Sequence, residues 1–159
     1  MDKMTLARSV YESLVYSLEE KDWKFQRFDN DLVIRSGIKG EDLPIEFIVL
    51  VKAENMVVQF ISKLPFSIPE DKRVEAAICV SVANYGLVDG SFDYDINDGE
   101  IRYRLTASYR GTNDGCLDPD LFEYMIMCAS STVDDYNDRF FMLAKGMIDV
   151  DKFISMETN

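Results

Sequence analysis

The sequence predicts an α+β fold: an N-terminal helix, an antiparallel sheet of about six strands interrupted by a second helix, and a long C-terminal helix. Three observations carry that expectation. Apolar residues recur at a helical period near the start and again over the last third of the chain. Between these regions the pattern changes to alternation, broken by short clusters of Asn, Asp and Gly that read as turns. At 159 residues with 47% hydrophobic content, the chain is of ordinary single-domain size and has ample material for one core, so one domain over 1–159 is expected.

The first helix is expected over residues 4–18. Met4, Ala7, Tyr11, Leu14, Val15 and Leu18 fall on one stripe, and Asp2 stands where the helix dipole favours an anion. Strands follow at "WKFQRF" (Trp23–Phe28) and "LVIRSGI" (Leu32–Ile38), flanking an Asp29–Asp31 turn. Two more, "PIEFIVLVK" (Pro44–Lys52) and "MVVQFISKL" (Met56–Leu64), flank Ala53–Asn55. A turn centred on Glu54 and Asn55 sets Val51 opposite Val58, Val49 opposite Phe60 and Ile48 opposite Ile61. This pair is apolar on both faces, as in a central or doubly covered position of a sheet.

Pro65 is expected to end the run of strands, and Pro69 to open a second helix with Glu70 and Asp71 in its first turn. Val74, Ala77, Ile78, Ser81, Val82 and Tyr85 form its apolar stripe, and Gly86 stops it. A hairpin comes next. The last helix opens at Pro119 and keeps its period through Leu121, Met125, Cys128, Thr132, Tyr136, Phe140, Leu143 and Met147, with Gly146 placed to end or bend it. Asp135 and Arg139 have the spacing of a solvated ion pair on its surface.

The hairpin contains the one stretch that suggests chemistry, "DYDINDGEI" (Asp93–Ile101). A calcium loop beginning at Asp93 requires Gly at its sixth position and a bidentate Glu at its twelfth. Those positions hold Asp98 and Arg104, so no metal is expected. Alternation of Phe92, Tyr94 and Ile96 with polar residues, and of Ile101, Tyr103 and Leu105 likewise, predicts two strands instead. An Asp98-Gly99 two-residue turn then sets Ile96 opposite Ile101, Asp95 opposite Arg102 and Asp93 opposite Arg104.

Composition excludes several functions. Zero histidines removes Ser-His-Asp and Cys-His nucleophiles, His-ligated zinc and the commonest general base. Net charge of −12 argues against nucleic acid and anionic membranes. No apolar run is long enough to span a bilayer, and Arg8 and Glu12 interrupt the only candidate leader. Three cysteines with no C-x-x-C fit reduced thiols in a cytoplasm, with Cys79 and Cys128 largely buried and Cys116 accessible. Lys63 as a Schiff-base lysine, and paired carboxylates as acid and base, are the chemistry that remains; nothing in the spacing places them in a cleft. "GTNDG" (Gly111–Gly115) lacks the Lys-Ser/Thr of a phosphate loop. No cofactor is expected.

The stretch "ANYGLVDGSFDYDINDGEIRYRLT" (Ala83–Thr106) resembles the YbjN domain family. The matching features are Asn84 closing the second helix, then Gly90-Ser91-Phe92, and a return strand that ends at Arg104. The order of elements is similar from the first helix to about Phe153. This resemblance implies a type III secretion chaperone-like fold and a small, intracellular, often dimeric and non-catalytic module, labelled a sensory transduction regulator. The expected function is therefore a protein-interaction, chaperone-like or regulatory module from a bacterium, not an enzyme. The alternative is a small-ligand sensor or an enzyme using carboxylates without histidine.

Three helices can cover only one face of such a sheet. Ile48, Leu50 and Ile61 share the other face and need a cover: the second helix, a client segment or a second copy of the chain. A homodimer is the favoured cover, because it needs no absent partner. Self-repulsion at −12 opposes it, so association should strengthen with salt.

Overall fold

The computed structural model describes residues 1–157. Its elements in chain order are α1 (Lys3–Glu20), β1 (Gln26–Phe28), β2 (Val33–Lys39), β3 (Pro44–Lys52) and β4 (Val57–Ser67). A single 3-10 turn (Glu70–Lys72) leads into α2 (Arg73–Tyr85). Then come β5 (Ser91–Asp95), β6 (Glu100–Ser108), α3 (Pro119–Ala144) and α4 (Val150–Glu157). The six strands form one antiparallel sheet in the order β1-β2-β3-β4-β6-β5. The expected α+β architecture is the one observed.

Alternation along the strands sorts the sheet into two faces. Ile34, Ile45, Phe47, Val49, Val51, Val58, Phe60, Leu64, Ile101, Tyr103 and Leu105 are buried against the helices. Ring contacts run across this face: Phe47 stacks on Phe60 at 4.6 Å, and Phe60 meets Tyr103 edge-on. Phe92 touches Tyr103 and Phe140, and Phe140 touches Phe153 of α4. α1 packs on β3 and α3, whereas α2 packs on β5 and α4.

The β3–β4 register is as expected, with Val51 opposite Val58 and Ile48 opposite Ile61. The β5–β6 register is not. Asp93 lies opposite Arg102 and Asp95 opposite Glu100, a two-residue shift from the expected pairing. The connection is a four-residue loop, Ile96–Gly99, and not a two-residue turn. Asp95 fixes it by accepting from the Asn97 backbone N–H at 2.9 Å, while Gly99 N–H donates to the Asp95 carbonyl at 2.8 Å. A shift of two preserves which face each side chain occupies.

Three of the four hairpins use the same device. Asp29–Leu32, Ala53–Met56 and Ile96–Gly99 each span four residues and end on a left-handed one: Leu32 at φ 54°, Met56 at 54° and Gly99 at 79°. Only Gly99 is of the type that adopts this conformation without strain. It is also pressed against the chain before α2, where an added Cβ would stand 2.2 Å from the Ile68 carbonyl oxygen.

Several boundaries and faces depart from expectation. Pro65 does not end the strand run; β4 continues to Ser67, and the pairing with β6 shifts between Lys63 and Ser67. An irregular, exposed position is where a strand tolerates a residue without N–H. β1 is shorter than expected. Met4 is exposed, and α1 instead buries Leu6 and Val10 beside the predicted residues. In α2 the stripe expected to be core is mainly the outer one: Val74, Ile78 and Tyr85 are exposed. The buried stripe is Ala76, Cys79, Val80 and Ala83, whose small side chains let the helix lie close. The last helix stops at Ala144, Gly146 turns the chain at φ 71°, and the separate α4 folds back. Met147 is consequently exposed. Arg139 pairs with Glu157 of α4 at 2.7 Å and not with Asp135, and Tyr136 donates to the same carboxylate at 2.6 Å.

Asn84 has a role no pattern discloses. From the end of α2 its side-chain oxygen accepts from the Phe92 N–H at 2.7 Å, and its side-chain nitrogen donates to the Phe92 carbonyl at 3.0 Å. It thereby imitates a neighbouring strand on the outer edge of β5.

Candidate partner-binding face

Among the described residues, no helix packs on the second face of the sheet. α2, one of the expected covers for Ile48, Leu50 and Ile61, lies on the other side against β5. The three residues sit together at the centre, half-buried, with Ile48 and Ile61 directly opposed and Leu50 beside Gln59. Val33 and the exposed Phe28 extend the apolar row to the β1 edge. Strand alternation dictates this placement, because the residues between them fill the covered face.

Charged side chains frame the apolar centre. Arg35 is opposite Ile48 across β2–β3, and its guanidinium lies 5.7 Å from the Phe28 ring centre. Arg104 is opposite Ile61 on the far side. Asp93 holds both Arg102 at 3.2 Å and Arg104 at 3.0 Å, so one carboxylate neutralises part of two cations. Lys63 pairs with Glu100 at 2.5 Å, and that carboxylate raises its pKa. A Schiff-base lysine requires the opposite shift, so Lys63 is placed as an ion-pair partner. Lys39 and Lys52, at strand ends on this face, have no carboxylate partner among the described residues.

The surface here is grooved. A depression of about 310 Å³ is lined by Arg35, Glu46, Ile48, Ile61 and Lys63. A second, about 460 Å³, continues past Glu46 to Pro65 and Phe66. A third, about 450 Å³, continues the other way past Arg35 to Gln26 and Lys24. Glu46 borders all three, which together form a trough crossing β4, β3, β2 and β1.

Elsewhere, titratable groups that adjoin one another are engaged in holding the fold. Asp29 accepts from Arg27 and from Tyr11, and those hydrogen bonds hold its carboxyl below its ordinary range. Asp134 of α3 accepts from the Glu41 backbone N–H at 2.8 Å. Tyr124 donates to Asp89, whose carbonyl accepts from Tyr103. Burial raises the Cys79 thiol to about 11, and Tyr11 and Tyr103 to about 12. All three thiols are free: Cys79 buried, Cys128 half-buried and Cys116 exposed. Among the described residues, no helix is long and apolar enough to cross a membrane.

Sequence reasoning found the apolar centre, since alternation alone assigns Ile48, Leu50 and Ile61 to one face. It missed Arg35, Lys24 and the trough. Those depend on β1 and β2 lying beside β3, a fact of strand order with no local signal.

The YbjN family model, described as "Putative bacterial sensory transduction regulator", matches residues 12–142. No curated protein matches the sequence. Among solved structures, the chain is similar to YbjN from E. coli, described as a "putative transcription regulator", at 10% identity and TM-score 0.61. That match covers 81% of this chain and 92% of the other. The ExsC–ExsE complex matches at 13% identity and TM-score 0.57, covering 87% and 96%. The HopA1–SchA chaperone–effector complex matches at 9% and 0.52, covering 80% and 92%. At these identities the likeness is one of fold, and it is the expected type III secretion chaperone-like fold.

Proposed function

The chain belongs to the YbjN family, and from that premise we propose that it is a non-catalytic polypeptide-binding module, regulatory or chaperone-like, working in the cytoplasm of a bacterium. The observation that carries this reading is the apolar centre of the open sheet face, Ile48, Leu50 and Ile61, left half-exposed while the four helices of the described residues pack on the other side. Such a patch is costly in water and gains by being covered. Two of the similar structures, the ExsC–ExsE and HopA1–SchA complexes, are pairs of proteins, which supports a polypeptide as the cover. The lack of histidine and the three free thiols support a non-catalytic, cytoplasmic protein.

Affinity capture from the native cytoplasm tests the reading, with the Ile48→Asp/Ile61→Asp double variant run alongside. Wild type should retain a stoichiometric polypeptide that the variant releases, both proteins melting at similar temperatures. Equal retention by both, or a co-purifying metabolite with no polypeptide, defeats it. Self-association through the same face is the other way to cover it. That alternative gives a mass that doubles with concentration and a dimer strengthened by salt, as the net charge of −12 requires. Light scattering on the two proteins distinguishes the cases.

A further inference from the structure

The trough across the open face has a charge opposite to that of the whole molecule. Lys24, Arg35 and Lys63 line it, and Glu46 is its only acidic wall among the described residues, in a chain of net charge −12. Neither Lys24 nor Arg35 has a carboxylate partner among the described residues. The chain therefore keeps unpaired cations beside its exposed aliphatic side chains while the rest of its surface is strongly acidic.

We propose that this trough binds an acidic, extended polypeptide segment, its aliphatic side chains seated against Ile48 and Ile61 and its carboxylates meeting Lys24, Arg35 and Lys63. This rests on the polypeptide-binding reading above and specifies the partner's chemistry. The trough spans three gaps between neighbouring strands, roughly 14 Å, which is the reach of about four extended residues. An extended segment points alternate side chains to opposite sides. It can therefore place one set on the aliphatic floor and turn the other toward the cationic rims. Arg35 is well suited to the work: it is planar, already stacked beside Phe28, and can grip a carboxylate with two N–H groups. Lys63 can turn from Glu100 toward a guest carboxylate, because its own side chain is 62% exposed. A second copy packed face to face would set the two cationic troughs against each other, so a self-contact of that kind does not fit.

The test uses two labelled peptides of equal length, alternating Ile with Glu in one and Ile with Lys in the other. Binding is followed by fluorescence anisotropy with the full chain. The wild type should bind the Glu peptide at least about tenfold more tightly than the Lys peptide. The preference should shrink as salt rises from roughly 20 to 200 mM. Lys24→Glu/Arg35→Glu/Lys63→Glu should invert it, and Ile48→Asp/Ile61→Asp should abolish binding of both peptides, with folding of each variant checked by its melting temperature. Equal binding of both peptides, still lost in the Ile variant, overturns the acidic-segment proposal and leaves the polypeptide-binding face standing. Binding that the Ile variant leaves intact overturns both. Binding of neither peptide, or binding that weakens as protein concentration rises because a second copy occupies the trough, overturns the proposal alone.

Discussion

On the covered face of the sheet Phe47, Phe60, Tyr103 and Phe92 touch in an unbroken run of rings, all buried. On the open face the row one residue along reads Arg35, Ile48, Ile61, Arg104 and Ser91 across five strands. The backbone is the same, and so is the alternation. What differs is composition: one face is filled with large apolar groups fixed by helices, whereas the other brackets its aliphatic centre with cations that water can reach. A face needed only for stability would not leave Ile48 and Ile61 half-exposed. A face meant only for solvent would not place isoleucine at both positions.

Phe60 and Ile61 test that difference most sharply, since they are consecutive in β4. Phe60→Ala empties a site in the ring run and should cost about 3–5 kcal/mol in chemical denaturation. Ile61→Ala should cost about 1 kcal/mol, in proportion to the smaller area it buries. Equal losses at the two positions would mean that the open face is as much core as the other.

Alkaline titration reads the covered side alone. Burial holds the Cys79 thiol at about 11, above its ordinary 9.0, and Tyr11 and Tyr103 at about 12, above 10.0. Each group is neutral when protonated, and the folded chain keeps its proton longer than the unfolded chain does. The stabilisation is therefore complete below about pH 9 and is lost as pH climbs through the folded values. The melting temperature should be flat from pH 7 to about 9 and then fall, with a later onset in Cys79→Ala. In the same range a thiol reagent should find Cys116 first, Cys128 slowly and Cys79 only on unfolding.

Ion pairs should divide along the same line. Glu157, at the end of α4, has 14% of its side chain exposed and holds Arg139 and Tyr136 of α3. Glu157→Ala leaves both unpaired and should cost about 1–3 kcal/mol. Asp93, between two exposed arginines on the open face, should cost no more than about 1 kcal/mol when changed to Asn, and less in high salt. A larger loss at Asp93 would make the charged frame part of the fold's foundation. The smallest effect expected is none at all: calcium at millimolar levels should leave the melting temperature unchanged, because Asp95 is already committed to the Asn97 backbone. A shift that disappears in Asp95→Asn would reopen the metal question.

The parts of this molecule legible from sequence are those fixed by period-two alternation over long, apolar strands. β3 and β4 gave the correct register because apolar residues on both faces and the Glu54–Asn55 centre agree. β5 and β6 were misaligned because Asp98-Gly99 is a good two-residue turn, yet Asp95 capping Asn97 and Ile68 pressing on Gly99 favour a four-residue loop. The left-handed conformations at Leu32 and Met56 are tertiary demands on residues that would not choose them. α2 offers two apolar stripes, and only the close approach of β5 and α4 selects the smaller one for burial. In the candidate site the aliphatic centre was visible from sequence, while its cationic rim, Arg35 of β2 and Lys24 just before β1, required the sheet order.

The hydrogen bonds of Asn84 to Phe92 have a consequence for how many molecules can join edge to edge. With that side chain occupying the outward N–H and C=O of Phe92, near the start of β5, an incoming strand is blocked at that edge of the sheet. At the other, β1 pairs only Val33–Arg35 of the longer β2. Endless stacking of strands into a fibre requires every subunit to both give and receive an edge. A subunit with one usable edge behaves like a chain-terminating monomer in polymer chemistry: it can accept a single addition, after which growth stops.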